Sequence, residues 1–154
     1  TYNSPIPSEI GDLQNLRRFY ADNTHLTGDL SFMIGMPAIF ELWVDKNSGL
    51  AGTIPTEIGD LSTLESLSIT DTNVSGPIPD ELSALRGMQQ MWLYNNQLTG
   101  TIPDGLSALT NMHTFHTENN PLMTGEMPKS ICENRDVSGG PLAILATSCE
   151  DNEP

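Results

Sequence analysis

Both tryptophans of the chain, Trp43 and Trp92, fall in a series with Tyr20, Ser68 and His116 whose members lie 23 to 25 residues apart. Arg18, Glu41, Ser66, Gln90 and Thr114 run on one side of this series. Asp22, Asp45, Thr70, Tyr94 and Glu118 run on the other, with Asn23, Lys46, Asp71, Asn95 and Asn119 beyond them. Aromatic faces bordered by carboxylates and amides suit a sugar ring or an extended peptide, and aromatic side chains dominate binding hot spots. The candidate contact residues are therefore Arg18, Tyr20, Glu41, Trp43, Asp45, Trp92, Tyr94 and His116. The alternative is that these aromatics pack on one another and on neighbouring stems, as bulky residues on a sheet do. The cost of leaving large aromatics on an exposed sheet favours binding. With strands about 4.8 Å apart, Tyr20 and Trp43 are expected to form one platform and Trp92 a second, two strands further on.

Catalytic readings of the same residues fail on geometry. His116 and Ser68 are two strands apart, about 10 Å, too far for a nucleophile and its base. Acidic composition makes a carboxylate pair such as Asp22 and Asp45 common without any catalytic meaning. His113 and His116 are expected as solvated strand residues, too few to hold a metal. The expectation is a protein that is not an enzyme and needs no cofactor or metal.

The elements that would position these residues follow from self-similarity. Gly28, Gly52, Gly76, Gly100 and Gly125 fall 24, 24, 24 and 25 residues apart within LTGDL, LAGTIP, VSGPIP, LTGTIP and LMTGEMP. A repeat of that period means a solenoid, because one unit cannot bury its apolar face alone. Leu85, Met88, Met91, Leu93, Asn96, Leu98, Gly100, Ile102, Pro103 and Leu106 trace one copy. Leu67-x-Ile69 and Met91-x-Leu93 alternate with period two, as half-buried strands should. Asn47, Asn96 and Asn120 sit where the chain turns inward, and their amides can satisfy backbone groups of their own and the neighbouring coil. Thr24 and Thr72 replace them in two copies. Two copies, at Asn47–Gly52 and Asn120–Gly125, carry one extra residue, expected in a turn. Ser31 breaks the Ile-Pro signature and predicts the least regular coil.

These residues resemble the leucine-rich-repeat family in its plant-type subclass, LxxLxxLxLxxNxLxGxIPxxLGx, from residue 1 to about 131. The resemblance implies an α/β repeat fold: a right-handed solenoid with short parallel strands on its concave face. Second short strands and 3-10 turns complete each coil, with little α-helix. Domain organisation would then be residues 1–131, about five repeats after a partial one, and a cap at 132–154. Plant-type relatives include receptor-kinase ectodomains and inhibitors of cell-wall-degrading polygalacturonases. They imply a recognition module for a protein, peptide or glycan on the concave face. Some plant-type repeat proteins have structural, adhesive or ice-binding roles instead. The series Thr27, Ala51, Ser75, Thr99 and Thr124, beside Asp29, Thr53, Pro77, Thr101 and Glu126, is too interrupted by charge and proline to suit ice.

Composition bounds the remainder. A net charge of −14 over 154 residues disfavours nucleic acid and anionic membranes, whose phosphates need Lys and Arg. It is expected to keep an elongated array soluble and, when isolated, monomeric, with an acidic site for a basic partner as the alternative. No apolar run is long enough to span a bilayer. Cys132 and Cys149 follow the last regular repeat; a disulfide between them would close the solenoid end, contribute roughly 3 kcal/mol and imply an oxidising compartment. Two free thiols, or half a metal site, are the alternatives. The segment from Ser130 to Cys149 resembles the caps of leucine-rich-repeat proteins abundant in diatoms, which points to secretion or the cell surface. The Asn73-Val-Ser75 sequon is a glycosylation candidate of the same bearing. Tyr2 falls at the position of Val74, so the chain is expected to be part of a longer protein that begins in mid-repeat.

Overall fold

The computed structural model describes residues 4–132 and the strand at 144–145. Its strands are β1 (Ser4–Pro5), β2 (Arg18–Tyr20), β3 (Leu26–Gly28), β4 (Glu41–Trp43), β5 (Gly49–Thr53) and β6 (Ser66–Ser68). They continue as β7 (Asn73–Pro77), β8 (Gln90–Trp92), β9 (Gln97–Gly100), β10 (Thr114–His116), β11 (Leu122–Met123) and β12 (Ile144–Leu145). The even-numbered strands form one parallel sheet in chain order, and the odd-numbered strands form another. Short 3-10 helices at Ser8–Asp12, Leu30–Met33, Thr56–Asp60, Asp80–Ala84 and Asp104–Ala108 return the chain between sheets. One α-helical turn, α1 (Lys129–Cys132), follows the last coil. Cys149, and with it the expected bridge to Cys132 and most of the expected cap at 132–154, lies outside the described residues.

From Leu42 onward, successive coils bury the same positions. Leu42, Leu67, Met91 and Phe115 stack inward from the concave sheet, with Val44, Ile69 and Leu93 two residues on. Leu50, Val74 and Leu98 stack from the second sheet, and Ile58, Leu82 and Leu106 from the 3-10 segments. All of these are at most 1% exposed, so the core is one continuous column of ladders.

The two sheets differ in register, and the difference matters for the site. In the concave sheet Arg18 pairs with Glu41, Glu41 with Ser66, Ser66 with Gln90 and Gln90 with Thr114. Equivalent residues of successive coils are thus direct cross-strand neighbours. In the second sheet each signature glycine faces a residue two places before the next one: Gly52 opposite Val74, Gly76 opposite Leu98. Only the concave sheet lines its outward side chains up in straight columns.

The turns hold that register. Asn96, 1% exposed, donates through Nδ2 to the carbonyls of Ile69, Leu93 and Tyr94, and its Oδ1 accepts from the Thr72 amide at 3.2 Å and the Thr72 hydroxyl. Asn47 serves Ala21, Val44 and Asp45 and accepts from Thr24 and Leu26; Asn120 bonds Leu93, Thr117 and Leu98. The threonines therefore do not break the ladder, because the asparagine of the next coil completes it. Just before this position every coil adopts a left-handed residue: Asn23, Lys46, Asp71, Asn95 and Asn119, with φ between 53° and 57°. Asn and Asp tolerate that conformation; Lys46 is the exception.

The length changes fall where expected. The extra residue is absorbed in a turn closed by Leu50 N–H to Asn47 O at 2.9 Å, and in the equivalent turn at Asn120–Met123. Gly49 belongs to the first of these, and a Cβ there would lie 2.6 Å from the Leu26 carbonyl. Gly76 combines φ of 77° with a virtual Cβ 2.7 Å from Thr53 Cγ2, which explains the glycine signature. Pro55, Pro79 and Pro103, with φ of −70°, −71° and −63°, lead into the 3-10 segments. The coil carrying Ser31 is the irregular one. Ser31 stands where the other coils have proline, and Asp29 caps the 3-10 segment instead, accepting from the Ser31 hydroxyl and amide, which hold its carboxyl below the usual range. His25 adds a second left-handed residue to the same coil, φ 61°.

Two substitutions test this account by urea unfolding. Asn96→Ala is expected to cost about 3 kcal/mol, since it orphans several buried backbone groups. Lys46→Asn is expected to gain about 0.5–1 kcal/mol by relieving the left-handed strain.

Candidate functional site

The aromatic column of the concave sheet is continuous. Tyr20 and Trp43 lie with ring centroids 4.9 Å apart, and Trp43 meets Trp92 edge-on at 6.3 Å and 83°. The expected second platform at Trp92 does not exist as a separate unit. Two strands separate Trp43 from Trp92, but the residue between them in the column is Ser68, whose small side chain leaves room for both indoles to lean inward and touch. The serines beneath are covered: Ser66 and Ser68 are each 5% exposed. Ser66 accepts the Trp43 indole N–H at 2.9 Å, which fixes the orientation of that ring. Tyr20, 51% exposed, is the open end of the cluster.

The flanking columns set the electrostatics. Glu41 receives the Tyr20 hydroxyl and pairs with Arg18 at 3.3 Å, while the Arg18 guanidinium lies 5.9 Å from the Phe40 ring centroid. Glu41 is thus engaged by both Arg18 and Tyr20. On the other side, Asp45 accepts from the Ser68 hydroxyl at 2.7–2.8 Å and from the Thr70 amide at 2.8 Å. Asp22 accepts in the same way from the Asp45 amide, so these carboxylates cap strand ends one coil on. Burial pushes the Asp45 carboxyl above the usual range; the bonds from Ser68 and Thr70 oppose that shift and the charge of Asp22 adds to it.

Tyr94 and His116 meet edge-on at 6.4 Å, and His116 Nδ1 lies 3.0 Å from Glu118 Oε1. His116 was expected as a solvated residue; it is instead held between Tyr94 and Glu118, its side chain 17% exposed. Ser68 is bonded to Asp45 and His116 to Glu118, so the hydroxyl and the imidazole serve different partners. Among the described residues no group of three His, Cys, Asp or Glu is placed to hold a metal ion. Trp43, Asp45, Ser68, Trp92 and Tyr94 line an open depression of about 220 Å³. On the second sheet Asn73 is exposed, its Nδ2 donating to the Ser48 carbonyl at 2.7 Å.

The columns of the sequence therefore brought Arg18, Tyr20, Glu41, Trp43, Asp45, Trp92, Tyr94 and His116 onto one face, where the structure places them all. Missed were Ser66 and Ser68, which position the indoles, and Phe40, which carries the Arg18 guanidinium. The signal was present: a serine alone among large residues in the central column.

The leucine-rich-repeat family model matches residues 63–85 and 87–109. In fold, the chain is similar to a TDR receptor, with 31% identity and a TM-score of 0.80 over 85% of this chain and 22% of that one. It is similar as well to the Arabidopsis receptor kinase HAESA ectodomain in complex with an extended IDA peptide hormone, with 29% identity, TM-score 0.78, and 84% and 22% covered. A third such structure is the PEPR1–AtPEP1 complex, with 26% identity, TM-score 0.78, and 85% and 18% covered. The chain spans about a fifth of the length of these relatives. No curated protein matches it. Residues 63–109 thus carry leucine-rich repeats, and the fold is similar to that of plant leucine-rich-repeat receptor ectodomains.

The Asp45 site yields a pH prediction. A carboxyl whose folded pKa is raised helps the folded state most below its unfolded pKa, about 3.9, and loses that help as pH rises through the folded value. Asp45→Asn keeps an acceptor for the Thr70 amide and cannot ionise. Relative to the wild type, its urea stability is therefore expected to be higher at pH about 7 than at pH about 3. A difference between the two proteins that is the same at both pH values contradicts the assignment.

Proposed function

We propose that the chain is the extracellular recognition part of a cell-surface or secreted protein and binds a peptide or protein ligand on its concave face. The observation that carries this is the Tyr20–Trp43–Trp92 cluster, set in straight register beside an open depression. Rigid aromatics held by a scaffold offer contact area at little entropic cost, which is what an extended ligand needs. Structural relatives crystallised with peptide hormones support a peptide over a glycan. Arg18, Glu41, Asp45, Tyr94 and His116 would border the ligand. An exposed Asn73 fits glycosylation on the far sheet, and a Cys132–Cys149 bridge would close the array in an oxidising compartment. No helix among the described residues is long and apolar enough to cross a membrane.

The test is panning of a displayed random-peptide library on the intact chain, followed by affinity measurement of enriched peptides. Trp43→Ala/Trp92→Ala, checked by circular dichroism for unchanged fold, is expected to lose at least about tenfold in affinity, as removal of a hot spot does. Peptides that bind the variant and the wild type equally would place the binding surface elsewhere.

A further inference from the structure

We propose that the depression lined by Trp43, Asp45, Ser68, Trp92 and Tyr94 is a subsite for a cationic side chain of the ligand, a guanidinium in preference to an ammonium. This deepens the proposed function and rests on it.

Three observations converge there. The first is composition of the walls: three aromatic residues and one carboxylate-bearing residue line the same depression. Aromatic faces attract cations, most strongly where water is partly excluded. A planar guanidinium can stack on an indole and bond a carboxylate at once; an ammonium can do only part of this.

The second is the state of Asp45. A carboxylate has about four acceptor positions, and this one receives the Ser68 hydroxyl, the Thr70 amide and the Thr70 side chain. Acceptor capacity remains on the carboxylate. Asp45 is half-buried, and among the described residues no Lys or Arg pairs with it, the ion pairs being Arg18–Glu41 and His116–Glu118. A partly desolvated charge without a counter-charge is costly, and an arriving cation removes that cost. The third is the field around it. Asp22 and Glu118 stand in the same outward column and the chain carries a net charge of −14, so a cationic group is steered toward this face.

The chain already uses this chemistry at the edge of the same sheet. Arg18 lies over the Phe40 ring while its Nε sits 3.3 Å from Glu41. The depression repeats that pairing of ring and carboxylate, with the cation to be supplied from outside.

The test uses the whole chain, with Nα-acetyl-arginine amide and its neutral isostere Nα-acetyl-citrulline amide as probes. Binding is followed through the indole N–H resonances of Trp43 and Trp92. The arginine probe is expected to shift both resonances and to bind at least about tenfold tighter than the citrulline probe, with Asp45→Asn erasing that preference. Asp104→Asn makes the same charge change on an exposed 3-10 segment and is expected to leave the preference intact. No shift with arginine, equal binding of both probes, or equal loss in both variants overturns the subsite. If peptides from the library still depend on Trp43 and Trp92 after such a result, the concave-face function survives without its cationic subsite. Peptides indifferent to both tryptophans would overturn the function itself.

Discussion

Inward-facing backbone in a structure built almost entirely of two- to five-residue strands and single 3-10 turns has few regular partners, and the rest of this fold depends on how it is satisfied. The amides of Asn47, Asn96 and Asn120 do it, each bonding carbonyls of its own coil and of the coil before. Because each amide spans two coils, it sets the distance and the register at which they stack. The left-handed residue just before it adds a second ladder on the outside, where Asn119 donates to Asn95 and Asn95 to Asp71, each at 2.7 Å. Apolar ladders supply the driving force for stacking. The amides supply its alignment.

Alignment is what turns a row of repeats into a surface. Unstaggered pairing makes equivalent side chains of successive coils direct neighbours, so a choice made at one coil is felt at the next. A serine at position 68 is such a choice: it lets two indoles from coils on either side share one space. Ser66 then fixes the Trp43 ring through its N–H, and Ser68 gives its own hydroxyl to Asp45. The second sheet, sheared by two residues per coil, has no comparable column of rings among the described residues.

Much of this was legible in the residues. Glycine spacing, the Ile-Pro signature and the apolar alternation reveal the solenoid, the two strand sets and the turn positions, because each coil repeats the same physical solution. The column assignment of Trp43, Asp45 and Tyr94 follows from that frame alone. What the frame does not contain is the lean of a side chain. Whether Trp92 stands alone or reaches Trp43 depends on the volume at position 68 and on rotamers, and strand spacing says nothing of either. His116 shows the same limit, since its contact with Glu118 is made by two side chains on one strand end turning toward each other. The segment bearing Cys149 offered no repeat to align, so only its cysteine and the resemblance spoke to it.

Ser68 allows Trp43 and Trp92 to form one cluster across two strands. Nuclear Overhauser spectroscopy of the unliganded chain tests it directly. Cross-peaks between the Trp43 and Trp92 ring protons, present in the wild type and lost in Ser68→Val, are the predicted result. Indoles that show contacts only to their own adjacent strands in the wild type would contradict the account.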